Sequence, residues 1–502
     1  MTLLIKNVQL IDGSGTSSAK RDIFISGNKI SAIGSFPGKK ASHVIEGQGG
    51  YATPGFIDVH NVSDHYLTLF TYPLQRGFLV QGVTTVIAGQ DGASLAPLLD
   101  GSLATFRTWT DPAHANVDWH SIGELFRKLG TVRLGVNFAT LIGHATVRRT
   151  FTHDAPHQLG SAHLNSLYET FRRALGEGGY GISFGREWAH GKNVTHAELK
   201  HLALIAAEHQ GVCTFSLDMQ EAPLQTIETA VQIARETGVK TILCGLTPHA
   251  EQETDYRRVL EALTNASDKA HLYADIRPLG NRLRELYTFL PQWAKRPTLE
   301  AMVNDLEDEW FRDKIMKELP SVDPSNFVVA HAPRQEFLVG NSLADIKKHF
   351  GLRSAHEALL QLMRSTKLRA VISCRDASEL GMAEALANAR VLVGSHAADF
   401  PQDSQPTMLA DEVAPRTFTN ALKMLQAHAD ITLETAVRRL TATPAEIFGL
   451  VERGVVAPGY FADIVILNAH LDVQHVVVNG SIAVKNGACA AMGAGKVLRH
   501  VT

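Results

Sequence analysis

The sequence predicts an α/β chain: a (β/α)₈ TIM barrel carrying a small composite β domain built from both termini. Three observations carry this. Eight short apolar runs alternate with amphipathic helical stretches between residues 55 and 396, strand-and-turn texture occupies both ends, and a 45% hydrophobic, 20% charged composition is that of a globular chain. At 502 residues the chain exceeds what one core usually holds, so a large unit and a small one are expected. The predicted division is 1–54 plus 440–502 for the β domain and 55–439 for the barrel, with an insertion at about 285–388.

The N-terminal strands are LLIKNVQLIDG (3–13), DIFISGNKISAIG (22–34) and HVIEG (43–47). Their counterparts at the far end are ADIVILNA (462–469) and QHVVVNGSIAVKNG (474–487), in which Asn479-Gly480 and Asn486-Gly487 are hairpin signals. The simpler alternative is two separate β appendages. The barrel strands are GFIDVH (55–60), GVTTVIAG (82–89), VRLGVNFATLIG (132–143), GYGISFG (179–185), GVCTFSLD (211–218), KTILCGL (240–246), HLYADIR (271–277) and ARVLVGSH (389–396). Helices are predicted over 164–178, 196–210 and 222–238. Thr195 and Glu198 form a candidate capping box, and Gly238 is placed to cap the third helix. A doubly wound sheet is the alternative fold, but no GxGxxG follows the early strands. Residues 293–320, 326–332, 341–351 and 354–363 read as a mostly helical insertion over or beside the barrel mouth.

Composition excludes several function classes. Forty-eight basic and 51 acidic residues give a net charge of -3 with no basic tract, so no nucleic-acid partner is expected. No run approaches the roughly 18 apolar residues of a spanning helix, and Lys6 interrupts the apolar start, so no membrane partner or signal peptide is expected. Four scattered cysteines without CxxC fit a reducing, cytoplasmic setting. The exposed edge of a small β layer leaves room for a homo-oligomer.

Several stretches resemble the amidohydrolase superfamily, specifically its D-aminoacylase (N-acyl-D-amino-acid deacylase) group. They are GQGGYATPGFIDVH (47–60), GVTTVIAGQDG (82–92), NFATLIGHATVRR (137–149), GGYGISFGREW (178–188), RGVVAPGYFADIVIL (453–467) and GAGKVLR (493–499). The resemblance implies a barrel with a composite β domain, and zinc-dependent hydrolysis of an N-acyl-D-amino acid. It also implies ligand positions, and here the chain departs from the pattern. The first strand, normally ending HxH, reads His60-Asn61-Val62, and the cysteine position falls on Asp91 in GQDG. The fifth- and sixth-strand histidines fall near Ser216 and Gly245, and the aspartate after the eighth strand falls on His396. Valine and glycine offer no donor side chain, so a conventional zinc centre is disfavoured. The expected cofactor is none, with zinc as the alternative on His60 and Asp91; Asp64, Asp218 or His396 would have to complete such a set.

Asp91, His396 and Glu187 are the candidates for proton chemistry, and Arg277, Arg186, His144, Asp218 and His249 for holding substrate. Each has a bland reading. His60 is then a strand-end polar residue, Asp64 a loop anchor, and Asp91 a turn cap. His144 is a core histidine and Arg277 an ion-pair partner of Asp275. Ser395 beside His396 lacks a nucleophile elbow, and adjacent side chains rarely face each other, which weakens a Ser–His mechanism. The expected function is action on an amide or other C–N bond of a small acylated amino acid, with a small carboxylate- or amide-containing molecule as the partner. The alternatives are metal-independent acyl transfer, condensation, lyase or isomerase chemistry, and a non-catalytic binding or structural homologue.

Overall fold

The structure, a computed structural model, describes all residues except 100–102, 104–105, 107–115, 154–156, 186–192, 218–222, 249–252, 266–270, 297, 401–415, 492 and 502. Eight parallel barrel strands fall inside the eight predicted runs. The first, Phe56–Asp58, pairs with Val83–Ala88, which pairs with Asn137–Thr140. The third strand resumes after Leu141 as Ile142–Gly143 and pairs with Gly181–Phe184. Val212–Ser216, Lys240–Cys244, Leu272–Ile276 and Val391–Val393 follow in order. Closure comes from a parallel bridge between Asn61 and Ala397, with the His396 N–H donating to the His60 carbonyl at 2.8 Å. Strands such as Val83–Ala88 and Val212–Ser216 are buried at every position, as expected of a parallel sheet covered on both faces.

The helices predicted between strands form as Ser161–Gly176, His196–Glu208 and Pro223–Thr237. Gly238 closes the last of these at φ 70°, its N–H reaching the Ala234 carbonyl at 2.9 Å. Thr195 caps its helix by accepting from the Glu198 N–H at 3.1 Å, but only half of the expected capping box is present. The Glu198 carboxylate is drawn instead to His144 and Arg148, buried on a neighbouring helix.

Both ends of the chain build one nine-stranded sheet. The joint is Tyr51–Pro54, parallel to Thr2–Leu10 and antiparallel to Ile464–Leu467. Asn479-Gly480 and Asn486-Gly487 turn the C-terminal hairpins with φ of 46°, 77°, 50° and 76°, the left-handed values that such two-residue turns require. A buried polar network ties this sheet to the barrel. Arg453 bonds Asp463 and donates to Asn479 at 2.9 Å, while Asn137, on the third barrel strand, donates to Asp463 at 3.0 Å and accepts from Asn479 at 2.7 Å.

The insertion is helix-rich and also holds a small three-stranded sheet that the sequence does not announce. Val371–Cys374 is flanked antiparallel by Arg282–Glu285 and Phe327–His331, and helices Leu299–Glu307, Glu309–Glu318, Leu343–His349 and Ala355–Ser365 pack around this sheet. The β-branched runs FVVAH and VIS have no barrel neighbour to pair with, so they pair with each other. The subdomain has a core of its own, including Leu286, Phe289, Ile315, Val329, Leu359 and Ile372. It meets the barrel where Tyr66 donates to Glu285 at 3.4 Å and Phe400 packs between Tyr66 and His331, with ring centroids 5.1 and 5.3 Å apart. Burial pushes His331 down to about 4, so this seam carries no histidine charge at neutral pH.

Among the described residues, no helix is long and apolar enough to cross a membrane. The buried Arg453–Asp463 pair sets a stability expectation: Asp463→Ala strands a guanidinium in the interior and should cost about 3–5 kcal/mol in denaturant unfolding. A loss under about 1 kcal/mol would show that the network is incidental to docking the sheet.

Candidate active site

Asp58, on the first strand, fixes the local frame. Its carboxylate accepts from the Ser395 N–H at 2.8 Å, the Ser395 hydroxyl at 2.6 Å, the Asn61 amide at 3.0 Å and the His60 N–H at 3.2 Å. Strands one and eight are thereby locked at the mouth end, and Ser395 is committed. Fully buried and bonded to Asp58, it is no nucleophile for His396. Asp64 is likewise a loop anchor, accepting from the Gly89 N–H at 2.9 Å and the His65 N–H at 3.0 Å.

Above this frame, the ends of six strands converge. His60, 2% exposed, lies between two carboxylates: Nδ1 is 3.0 Å from Asp275 and Nε2 is 3.1 Å from Asp91. His396 Nε2 is 2.8 Å from the other Asp275 oxygen, which also accepts from the Gly245 N–H at 2.8 Å. The second Asp91 oxygen accepts from the Ser216 hydroxyl at 2.6 Å. The rings of His60 and His396 stack with centroids 3.9 Å apart and planes 15° from parallel. His60 and Asp275 are buried, while the side chains of Asp91 and His396 are 32% and 21% exposed, so the second pair faces the mouth.

Charge follows from contact. Burial lowers the His60 pKa, but the Asp91 and Asp275 charges outweigh it and raise the ring well above its ordinary value, since both nitrogens then carry protons toward carboxylates. Burial raises Asp275, but His396 and His60 outweigh it and hold the carboxyl well below the usual range. Asp91 is depressed in the same way, burial being overcome by His60, with His65 and Ser216 assisting. The result is an imidazolium between two carboxylates. Asp91 and His396 adopt φ of 54° and 49°, left-handed values that cost a non-glycine residue about 1–3 kcal/mol and cluster at sites where side-chain direction matters.

The sequence-based candidates divide. His60, Asp91 and His396 are brought together, with Asp275 as the residue that reading missed. It was considered only as a partner for Arg277, yet strand alternation places 275 and 277 on one face. Arg277 is 6% exposed at the end of that strand and reaches Asn281 at 3.4 Å. His144 is turned elsewhere: its Nε2 is 2.9 Å from Glu198, which also accepts from Arg148 Nε at 2.9 Å, a buried link between helices. Arg186, Glu187, Asp218 and His249 lie outside the described residues.

The donor groups do not fit a conventional zinc centre. Val62 is buried and apolar, Gly245 has no side chain, and the Ser216 hydroxyl is spent on Asp91. His60, Asp275 and His396 have ligand atoms within 4.8 Å of one another, so by distance alone these three form a reduced ligand cluster. The grouping differs from the expected His60–Asp91 pair because the Asp275 carboxylate reaches a ring nitrogen of each histidine.

Two measurements check this geometry. A Cβ on Gly394 would stand 2.6 Å from His60 Cβ and 3.2 Å from His396 Nε2, so Gly394→Ala should part the stacked rings and cost about 1–3 kcal/mol in thermal unfolding. Burial raises the Glu198 pKa, but His144 and Arg148 outweigh it and leave the group depressed. Its stabilisation is therefore present above the unfolded carboxylate value of about 4.3 and lost as pH falls through the folded one. Glu198→Gln should lower stability at pH 7 and flatten the acid limb; an unchanged acid limb would contradict the pairing.

A model of the amidohydrolase family matches residues 408–484. The chain is 26% identical to an N-acyl-D-glutamate deacylase of Alcaligenes xylosoxydans xylosoxydans over 526 aligned positions, covering 100% of this chain and 97% of the relative. An N-acyl-D-aspartate deacylase of the same organism is 24% identical over 93% of this chain and 85% of its own. A crystal structure of the N-acyl-D-glutamate deacylase of Bordetella bronchiseptica, complexed with zinc and a phosphonate inhibitor, superposes with a TM-score of 0.79 at 24% identity over 99% of both chains, a likeness that shows the fold. The full-length relatives and the matching family model agree: the chain is homologous to the amidohydrolases, the D-aminoacylases among them, and carries a reduced metal-ligand cluster.

Proposed function

We propose that the barrel mouth takes a small acylated amino acid and acts on its amide, or on another C–N bond, through side-chain proton transfer rather than a conventional zinc centre. The observation that carries this reading is the His60-centred chain of contacts, which leaves one ionised carboxylate and one imidazole facing the mouth. Amide cleavage requires water to add to the acyl carbon and a proton to reach the departing nitrogen. Asp91, kept ionised by His60 and aimed by Ser216, orients the water through its exposed edge. His396, whose imidazole can both accept and donate a proton, takes the proton released as the water adds and passes it to the departing nitrogen as the C–N bond breaks. Arg277, on the same strand face as Asp275, supplies a planar cation for the substrate carboxylate.

Full-length relatives that act on N-acyl-D-glutamate and N-acyl-D-aspartate support a substrate with a carboxylate beside an acylated nitrogen. One observation favours a second reading. A carboxyl held as far down as Asp91 is a weak base, which suits binding without turnover, or acyl transfer to a better nucleophile than water.

A panel of N-acyl amino acids of both hands, assayed by thermal shift and by release of free amine, tests the proposal. At least one member should stabilise the protein. Arg277→Ala should weaken that binding about 10–100-fold, the scale of one lost charged hydrogen-bonding group. His396→Gln should cut turnover about 10²–10⁴-fold while leaving binding within a few-fold. Binding without amine release would select the second reading, and a panel that neither binds nor reacts would rule out both.

A further inference from the structure

The stacked imidazoles carry a consequence for metal binding. A histidine coordinates through a lone pair lying in the plane of its ring, so an ion shared by two histidines must lie close to both planes. The rings of His60 and His396 are 3.9 Å apart at their centroids and within 15° of parallel. Their planes do not meet near the donor nitrogens, and no single ion near Asp275 lies in both.

The remaining valences are also committed. His60 spends both nitrogens on carboxylates, at 3.0 and 3.1 Å. Asp91 holds His60 with one oxygen and Ser216 with the other. Asp275 holds His60 with one oxygen and meets His396 and the Gly245 N–H with the other. Gly394 lets the rings approach, since any side chain there would strike His60.

We infer that Asp275 is the positioning residue of this site: it clamps His60 and His396 into one stack, and the clamp keeps zinc out of the cluster. Asp275 lies on the seventh barrel strand, between the strand ends that supply the two rings and the one that supplies Gly245. The inference rests on the reading of the mouth as a side-chain site, but it concerns zinc uptake and stands or falls without any substrate.

The test is zinc uptake by the full chain, read by equilibrium dialysis with elemental analysis and by the melting temperature with and without zinc. The wild type should hold well under one zinc per chain at 10-fold molar excess, and its melting temperature should not rise. Asp275→Ala, which frees His396 and one nitrogen of His60 while Asp91 keeps the other, should hold more zinc than the wild type; a folded variant that still excludes zinc would overturn the clamp. Asp275→Glu, which keeps the carboxylate, should retain the wild type's exclusion. If the wild type takes up one equivalent with a raised melting temperature, and Asp275→Ala abolishes this, Asp275 is a ligand and the inference is overturned. Should Asp275→Ala fail to fold, the wild-type uptake decides alone: stoichiometric zinc overturns the inference, and its exclusion sustains it. Failure of the substrate panel would leave this result untouched, and zinc uptake would leave substrate binding untouched.

Discussion

A protonated histidine between two aspartates is the constraint on which the site depends. His60 is almost fully buried, and a lone imidazolium there would be expelled in favour of the neutral ring. Two carboxylates within 3.1 Å reverse that preference, and each is in turn kept ionised by the ring it holds. The three groups are stable as a set and unstable singly. This coupling reaches the backbone: the strand ends carrying Asp91 and His396 take left-handed conformations to bring their side chains to the ring and to Asp275. The Asp58 lock between strands one and eight supplies the rigidity that such strain requires.

The fold and the chemistry of the superfamily separate at this point. Barrel, composite sheet and chain course follow the full-length deacylase relatives, while the side chains at the strand ends do not provide a conventional ligand set. The substitutions are mutually consistent. Serine and aspartate bond each other, glycine lends its N–H to Asp275, and valine fills space without demanding a partner. A site stripped of function at random would leave buried polar groups uncompensated, each costing about 1–3 kcal/mol. Here the serine hydroxyl and the glycine N–H both find carboxylate partners, so these two replacements leave no stranded donor.

Much of the fold was legible because its signals are local. Eight β-branched runs with helical spacers, glycine at the end of a helix, and two Asn-Gly turns each specify backbone conformation within a few residues. The helices of the insertion are legible in the same way, but its small sheet is not, because those strands pair only with one another, across separations that no local pattern records. The site was legible in part for the same reason. His60, Asp91 and His396 stand at strand ends that family resemblance marks out. Asp275 does not, and its part emerges only when strands one, seven and eight are side by side. Glu198 illustrates the converse. Its spacing from Thr195 announces a capping box, yet a buried arginine and histidine compete for the carboxylate and win.

Buried ion pairs are poor sources of stability, since well-packed apolar residues in their place are often neutral or stabilising by about 1–4 kcal/mol. The His60 cluster is therefore not explained by what it contributes to folding. Its position supplies the reason, at the C-terminal mouth of a barrel, where side chains from different strands meet and where barrel enzymes bind their ligands. The buried half, His60 with Asp275, is shielded from exchange and acts as a fixed support. The open half, Asp91 and His396, is held in direction by that support while remaining in reach of a solute. A preorganised pair of this kind does not have to be reoriented when a ligand arrives. That advantage makes an otherwise costly cluster intelligible at the mouth, and it would be pointless anywhere else in the barrel.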